Sequence, residues 1–159
     1  MKIKFLIYIL LALAVQLQSQ NVASIDRQGL INEVNHRNDT VYVVNFWATW
    51  CSPCIAELGF FEELHRSYSN RGVKVILVNL DFPNQVEKRV IPFVKERGLT
   101  ASVMNMTELD YNAWIPEVNK EWSGAIPATL LYNRDERKFF AREISRDELF
   151  DEVDEFMSK

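Results

Sequence analysis

The only two cysteines of this 159-residue chain, Cys51 and Cys54, lie two residues apart, where one periodicity gives way to another. Val41 to Phe46 reads VYVVNF, a β-branched and aromatic run suited to a strand. Beyond the pair, Ile55, Leu58, Phe61 and Leu64 recur at helical spacing. Pro53 fits the first turn of that helix, where its missing N–H is not needed. The order strand, Cys-x-x-Cys, helix restricts the chain to folds in which a strand leads directly into a helix N-terminus.

That placement has a chemical consequence. Unpaired backbone N–H groups and the positive end of the macrodipole meet at a helix N-terminus, and both favour a thiolate at Cys51 over a thiol. The thiolate is the attacking species in disulfide exchange. Cys54, one turn on and on the same face, is expected to be the more buried and to act as the resolving thiol. Trp47 and Trp50 would shield the pair and offer a flat apolar surface to a partner. A stabilising staple is the weaker reading, because so short a loop constrains the unfolded chain by only about 2 kcal/mol. Small scaffolds held by disulfides usually carry several of them. Structural zinc needs four ligands. The only histidines are His36 and His65, and His65 lies roughly 16 Å from the pair along the predicted helix. Both histidines are expected at the surface and no metal site is expected. Two further readings stay open at this point: a binding module that does no redox chemistry, and a metal-delivery protein using the pair.

The rest of the chain reads as one α/β domain over residues 21–159. Ser24 is expected to cap a short helix bearing Leu30, Ile31 and Val34. Val73 to Leu80 suits a strand covered on both faces, and Asp81 to Asn84 a loop. A helix to about Arg97, stopped by Gly98, should kink or restart at Pro92. Thr100 to Met104 is a predicted strand and Tyr111 to Glu121 a helix. Thr129–Tyr132 and Lys138–Arg142 read as a hairpin, and Asp147–Met157 as a closing helix burying Leu149, Val153 and Phe156. Its acidic pairs, Asp147-Glu148, Asp151-Glu152 and Asp154-Glu155, read as a solvated face. Trp114 is expected in the core; Trp122 could pack there or line a groove. A formal charge of −4 argues against non-specific nucleic-acid binding.

Residues 1–20 differ from the remainder. Lys2 and Lys4 precede an apolar run from Phe5 to Val15, followed by Gln16 to Gln20. The run is shorter than the roughly 20 residues of a spanning helix and reads as a signal peptide cut after Ser19, or else as an uncleaved anchor. Either places the domain where disulfides persist.

Two motifs together carry a family resemblance. "VVNFWATWCSPC" resembles the active-site strand and motif of the thioredoxin superfamily, and its exported TlpA/ResA-like thiol-disulfide oxidoreductases in particular. "SGAIPATLLY", Ser123 to Tyr132, resembles that superfamily's cis-proline loop and following strand. The resemblance implies a thioredoxin-like fold, a central mixed sheet flanked by helices, with an extra strand and helix inserted before the loop. It implies a cis Ile126–Pro127 bond beside the cysteines, and backbone around Ala125 and Ile126 that pairs with an extended substrate. No bound cofactor is implied. The implied partners are protein disulfides or thiols and a membrane-embedded electron donor, in the periplasm, with the protein soluble or membrane-tethered.

Three positions depart from the pattern. Asn45 stands where thioredoxins carry a buried aspartate, and asparagine cannot titrate. Glu57 matches an acidic position of the exported branch and is the expected proton partner of Cys54; its alternative is a solvated first-turn glutamate. Gly59 replaces a frequent proline, so the helix should lack a kink there. A peroxidase reading fails for lack of the usual threonine ahead of a lone cysteine. Ser52-Pro53 adds no positive charge near Cys51 and Ile126 is aliphatic, both favouring a reductant.

Overall fold

The computed structural model describes residues 22–159; the leader expected over 1–20 lies outside the described residues. Six strands form one sheet in the order β1-β4-β3-β2-β5-β6: β1 Ala23–Ile25, β2 Val41–Trp47, β3 Val73–Asn79, β4 Ser102–Met106, β5 Ala128–Tyr132 and β6 Arg137–Phe140. The first four are mutually parallel, β5 runs antiparallel to β2, and β6 antiparallel to β5. This is the mixed sheet of the thioredoxin-like expectation. The helices are α1 Arg27–Glu33, α2 Ser52–Tyr68, α3 Ile91–Arg97, α4 Tyr111–Val118 and α5 Arg146–Met157. β4 and α4 are the extra strand and helix ahead of the proline loop.

Both faces of the sheet are covered, so β2 and β3 are near-continuous apolar runs rather than alternating ones. Val41, Val43, Trp47, Val75 and Leu77 pack under Leu58, Phe61 and Leu64 of α2, Val94 of α3, and Leu149, Val153 and Phe156 of α5. Tyr42, Val44, Phe46, Ile76 and Leu130 pack on the other side, with Leu30 of α1 and Trp114 and Val118 of α4. Trp114 is thus core, as expected.

Several expectations are corrected. Ser24 does not cap α1; it lies in β1, an edge strand paired with β4. Asp26 is the cap, its carboxylate accepting the Gly29 N–H at 2.7 Å. A three-residue strand carries too little periodicity to stand out in the sequence. β4 starts and ends two residues later than expected, and α4 stops at Val118, two residues past Pro116. Pro92 does restart its helix: a wide π turn over Val86–Val90 precedes it, and it sits in the first turn of α3. α2 runs unbroken through Gly59. On α5 the acidic residues are not merely solvated. Glu152 and Glu155 hold Lys138 of β6 at 2.7 and 3.0 Å, and Glu148 holds Arg142 at 2.5 Å. No helix of the described residues is long and apolar enough to cross a membrane.

Candidate redox site

β2 ends at Trp47, whose carbonyl accepts the Leu80 N–H at 2.8 Å. Ala48 to Trp50 turn the chain, and Cys51 caps α2 with extended backbone (φ −92°, ψ 95°). Its Sγ accepts the Cys54 N–H at 3.3 Å, the helix-capping position usually held by an oxygen. Pro53 lies in the first turn, as expected. Cys51 and Cys54 are joined as a disulfide. Cys54 is fully buried, while Cys51 keeps 5% of its surface exposed. The approach to the bridge is therefore from the Cys51 side, past Trp50, which is 62% exposed.

Trp47 does not share that exposed position. It is fully buried and packs against Phe93 at 5.4 Å between ring centres. Its place in β2 points it into the core under α2, so it cannot offer a surface to a partner. Shielding from outside falls to Trp50 alone of the two.

The Ile126–Pro127 peptide bond is in the cis form, and Ile126 packs against the apolar cluster that contains Cys51 and Cys54. Ala128 is in register with Phe46, so Pro127 lies level with the end of β2. Ala125 is exposed and Ile126 half-buried. The loop is held from below: the Trp122 indole N–H donates to the Ala125 carbonyl at 2.8 Å, and the Trp122 ring packs tilted against Phe46 and edge-to-face against Trp114. Trp122 is therefore a support of the loop rather than a wall of an open groove. Gly124 has φ +86°, and a Cβ there would stand 2.8 Å from Ile115 Cδ1 of α4. Gly124→Ala is expected to destabilise the protein by about 1–2 kcal/mol through backbone strain and that contact, measured by urea unfolding.

Under α2 lies a buried polar pair. Glu57 Oε1 accepts the Asn45 side-chain N–H at 2.9 Å, and Oε2 accepts the backbone N–H of Ile144 at 3.0 Å. Asn45 also donates toward Thr129 Oγ1 at 3.1 Å. Glu57 is buried, not the solvated first-turn glutamate its sequence position allowed. Burial pushes its carboxyl up to about 7, against the two hydrogen bonds that favour the charged form; nearby Glu143 adds a small upward push. Glu57 is three residues beyond Cys54 on α2, hence on the same helical face. Asn45, projecting from β2 toward α2, orients the carboxyl but cannot carry its proton.

One residue with a clear structural part was missed in the sequence. Asp81, just beyond β3, is buried; it accepts the Thr49 N–H at 2.7 Å, the Thr49 hydroxyl at 2.5 Å and the Asn79 side-chain N–H at 2.9 Å. It locks the turn ahead of Cys51 to the neighbouring strand. The polar Asn79-Leu80-Asp81 closing an apolar strand was its signal.

The histidines take no part among these residues, and neither is fully exposed. His36 stacks on Tyr42 and lies 3.4 Å from Glu33; His65 is half-buried on α2. Among the described residues no group of three or more His, Cys, Asp or Glu side chains could hold a metal ion.

Comparison with known proteins agrees with this geometry. The thiol-disulfide oxidoreductase ResA of Oceanobacillus iheyensis is 36% identical over 87 residues, 55% of this chain and 41% of that protein. Its namesake from Bacillus thuringiensis subsp. konkukian is 26% identical over 142 residues, covering 89% and 76%. The match spans 41%, 52% and 46% of the ResA proteins of O. iheyensis, Geobacillus thermodenitrificans and Bacillus cereus, so the chain covers about half the length of each. A secreted thiol-disulfide isomerase from Corynebacterium glutamicum superposes with a TM-score of 0.63 at 20% identity, over 77% of this chain and 73% of that one; it shares the fold. The model of the AhpC/TSA family matches residues 26–137, well over half of the sequence, and the chain belongs to that family, within the thioredoxin superfamily.

Proposed function

We propose that this protein exchanges disulfides with other proteins through Cys51 and Cys54, outside the cytoplasm and in the reducing direction. The observation that carries the reading is the capping position of Cys51: its sulfur accepts a helix N–H, and Cys51 is the one residue of the pair that keeps any exposure. In the reduced protein, the Cys51 thiolate attacks one sulfur of a client disulfide. A mixed disulfide forms and the client's other sulfur leaves as a thiolate, which takes a proton. Cys54 then loses its proton to Glu57, held by Asn45, and attacks the Cys51 sulfur. The client leaves with both sulfurs reduced and the protein is left as the Cys51–Cys54 disulfide. Exposed Ala125 and half-buried Ile126 offer the backbone against which an extended client segment can pair, with Pro127 shaping the turn and Pro53 the helix start.

Regeneration requires a two-electron donor, which we assign to a membrane-embedded thiol protein; residues 1–20 would serve for export or as a tether. Names among the relatives support a thiol-disulfide role, and no bound cofactor enters the scheme. The test is to trap the intermediate. Cys54→Ser, expressed with its leader, is expected to accumulate mixed disulfides through Cys51 that dithiothreitol releases. Mass spectrometry of the released proteins identifies the clients. A Cys54→Ser protein that gathers no more adducts than Cys51→Ser/Cys54→Ser would overturn the reading.

A further inference from the structure

Four large apolar side chains protrude among the described residues: Trp50 (62% exposed), Phe82 (59%), Leu109 (51%) and Tyr111 (39%). Singly, an exposed apolar residue is ordinary. Their placement is not. Trp50, Phe82 and Leu109 each lie three residues beyond the end of a strand, β2, β3 and β4 respectively, and Tyr111 opens α4. These strands are parallel neighbours, so their C-terminal ends form one edge, with about 5 Å between adjacent strands. Cys51 emerges on that edge. All four protruding residues therefore lie at the edge from which Cys51 emerges, and none lies at the opposite end of the sheet.

The row is built in advance of any partner. Trp47 pairs with Asn79 in register, and the Asp81 carboxylate binds Thr49 two residues further along. Trp50 and Phe82 are the next residues on these two clamped chains. At the other end, the Tyr111 ring lies 5.8 Å from Trp114, which meets Trp122 edge-to-face beneath the proline loop. The carboxylates between them stay at the surface, fixed in local turns: Glu108 accepts the Asp110 N–H at 2.8 Å and Asp110 the Asn112 N–H at 3.1 Å. What the edge presents is apolar, bordered by these two carboxylates on a chain of net charge −4. Like charges across an interface repel and discriminate against partners.

We propose that this edge docks the cysteine-bearing segment of the client protein, an extended stretch with large apolar side chains and no acidic residue near its cysteine. The segment lies over Phe82, Leu109 and Tyr111, with Trp50 next to the reacting sulfur. The assignment rests on the disulfide-exchange reading of Cys51, is continuous with that site, and selects among clients by composition rather than by a single contact.

The experiment uses the reduced protein and three probes: a disulfide-linked octapeptide with Leu and Phe beside its cysteine, the same peptide with Asp there, and 2-hydroxyethyl disulfide. Stopped-flow fluorescence follows oxidation of the protein. The wild type is expected to react about tenfold faster with the apolar peptide than with the acidic one, as burial of one or two large side chains requires. In the triple variant Phe82→Ser/Leu109→Ser/Tyr111→Ser, all exposed positions, the two peptides should converge to within about twofold, with the 2-hydroxyethyl disulfide rate unchanged. Equal peptide rates in the wild type, or a preference that survives in the variant, would overturn the docking assignment. So would sedimentation showing that the wild type dimerises and the variant does not, since the edge would then be covered by a second copy. No reaction of the wild type even with 2-hydroxyethyl disulfide would instead defeat the exchange reading on which the proposal stands.

Discussion

Cys51→Ser is expected to lower the rate of insulin disulfide reduction by at least about a thousandfold, to the background of the added dithiothreitol. A serine hydroxyl is not ionised near neutral pH and leaves poorly from sulfur, whereas exchange proceeds through a thiolate on both sides of the reaction. Of the pair, only Cys51 combines residual exposure with a sulfur that accepts a helix N–H. Fold and stability should change little by comparison, because the bridge closes a loop of only a few residues. Turnover assays and urea unfolding on the same sample separate these effects. A variant that keeps its activity would mean that the groove only holds a partner and that the cysteines do no chemistry.

Glu57→Gln is the second large effect, read in two ways. In catalysis, a carboxyl that titrates at about 7 is well matched to taking a proton at neutral pH, and removing such a group typically costs about 10²-fold or more. The pH–rate profile of mixed-disulfide resolution should lose its inflection near 7, while attack by Cys51 on the client is largely spared. In stability, the sign follows from the raised value. Between its ordinary value of 4.5 and about 7, the folded protein holds a proton on Glu57 that the unfolded chain has released. The stabilisation is full below 4.5 and is withdrawn as pH rises through 7, on the order of 2–3 kcal/mol in all. Glutamine keeps the size and one hydrogen-bond acceptor but does not ionise. The difference in unfolding free energy between variant and wild type should therefore move in the variant's favour from pH 5 to pH 8. An unchanged difference would place the Glu57 carboxyl in contact with water. A normal resolution profile would remove it from the proton path.

The features legible in the sequence were those with strong local causes. β2 and α2 followed from a β-branched run and a helical repeat meeting at Cys51, and the proline loop from its resemblance to a known motif. Leu149, Val153 and Phe156 announced the buried side of α5 by spacing alone. What stayed hidden depends on contacts between distant segments. β1 is a strand because β4 lies beside it, not because three residues favour extension. Trp47 and Trp50 look alike as letters, and only their positions, one inside a strand and one in a turn, send the first to the core and the second to the surface. Asp81 reads as a loop residue until Thr49 is seen 32 positions upstream. The environment of Glu57 needed Ile144, 87 residues away, before burial and an altered titration could be told from an ordinary first-turn glutamate.

The bond from Ile144 to Glu57 ties the proposed proton acceptor to the connection that launches the last helix. Fraying of the C-terminal end would admit water to the carboxyl and return it toward a common glutamate long before the sheet came apart. If Glu57 takes the proton as proposed, the docking of α5 sets its titration, and a protein damaged only at its tail would keep its shape while losing its timing.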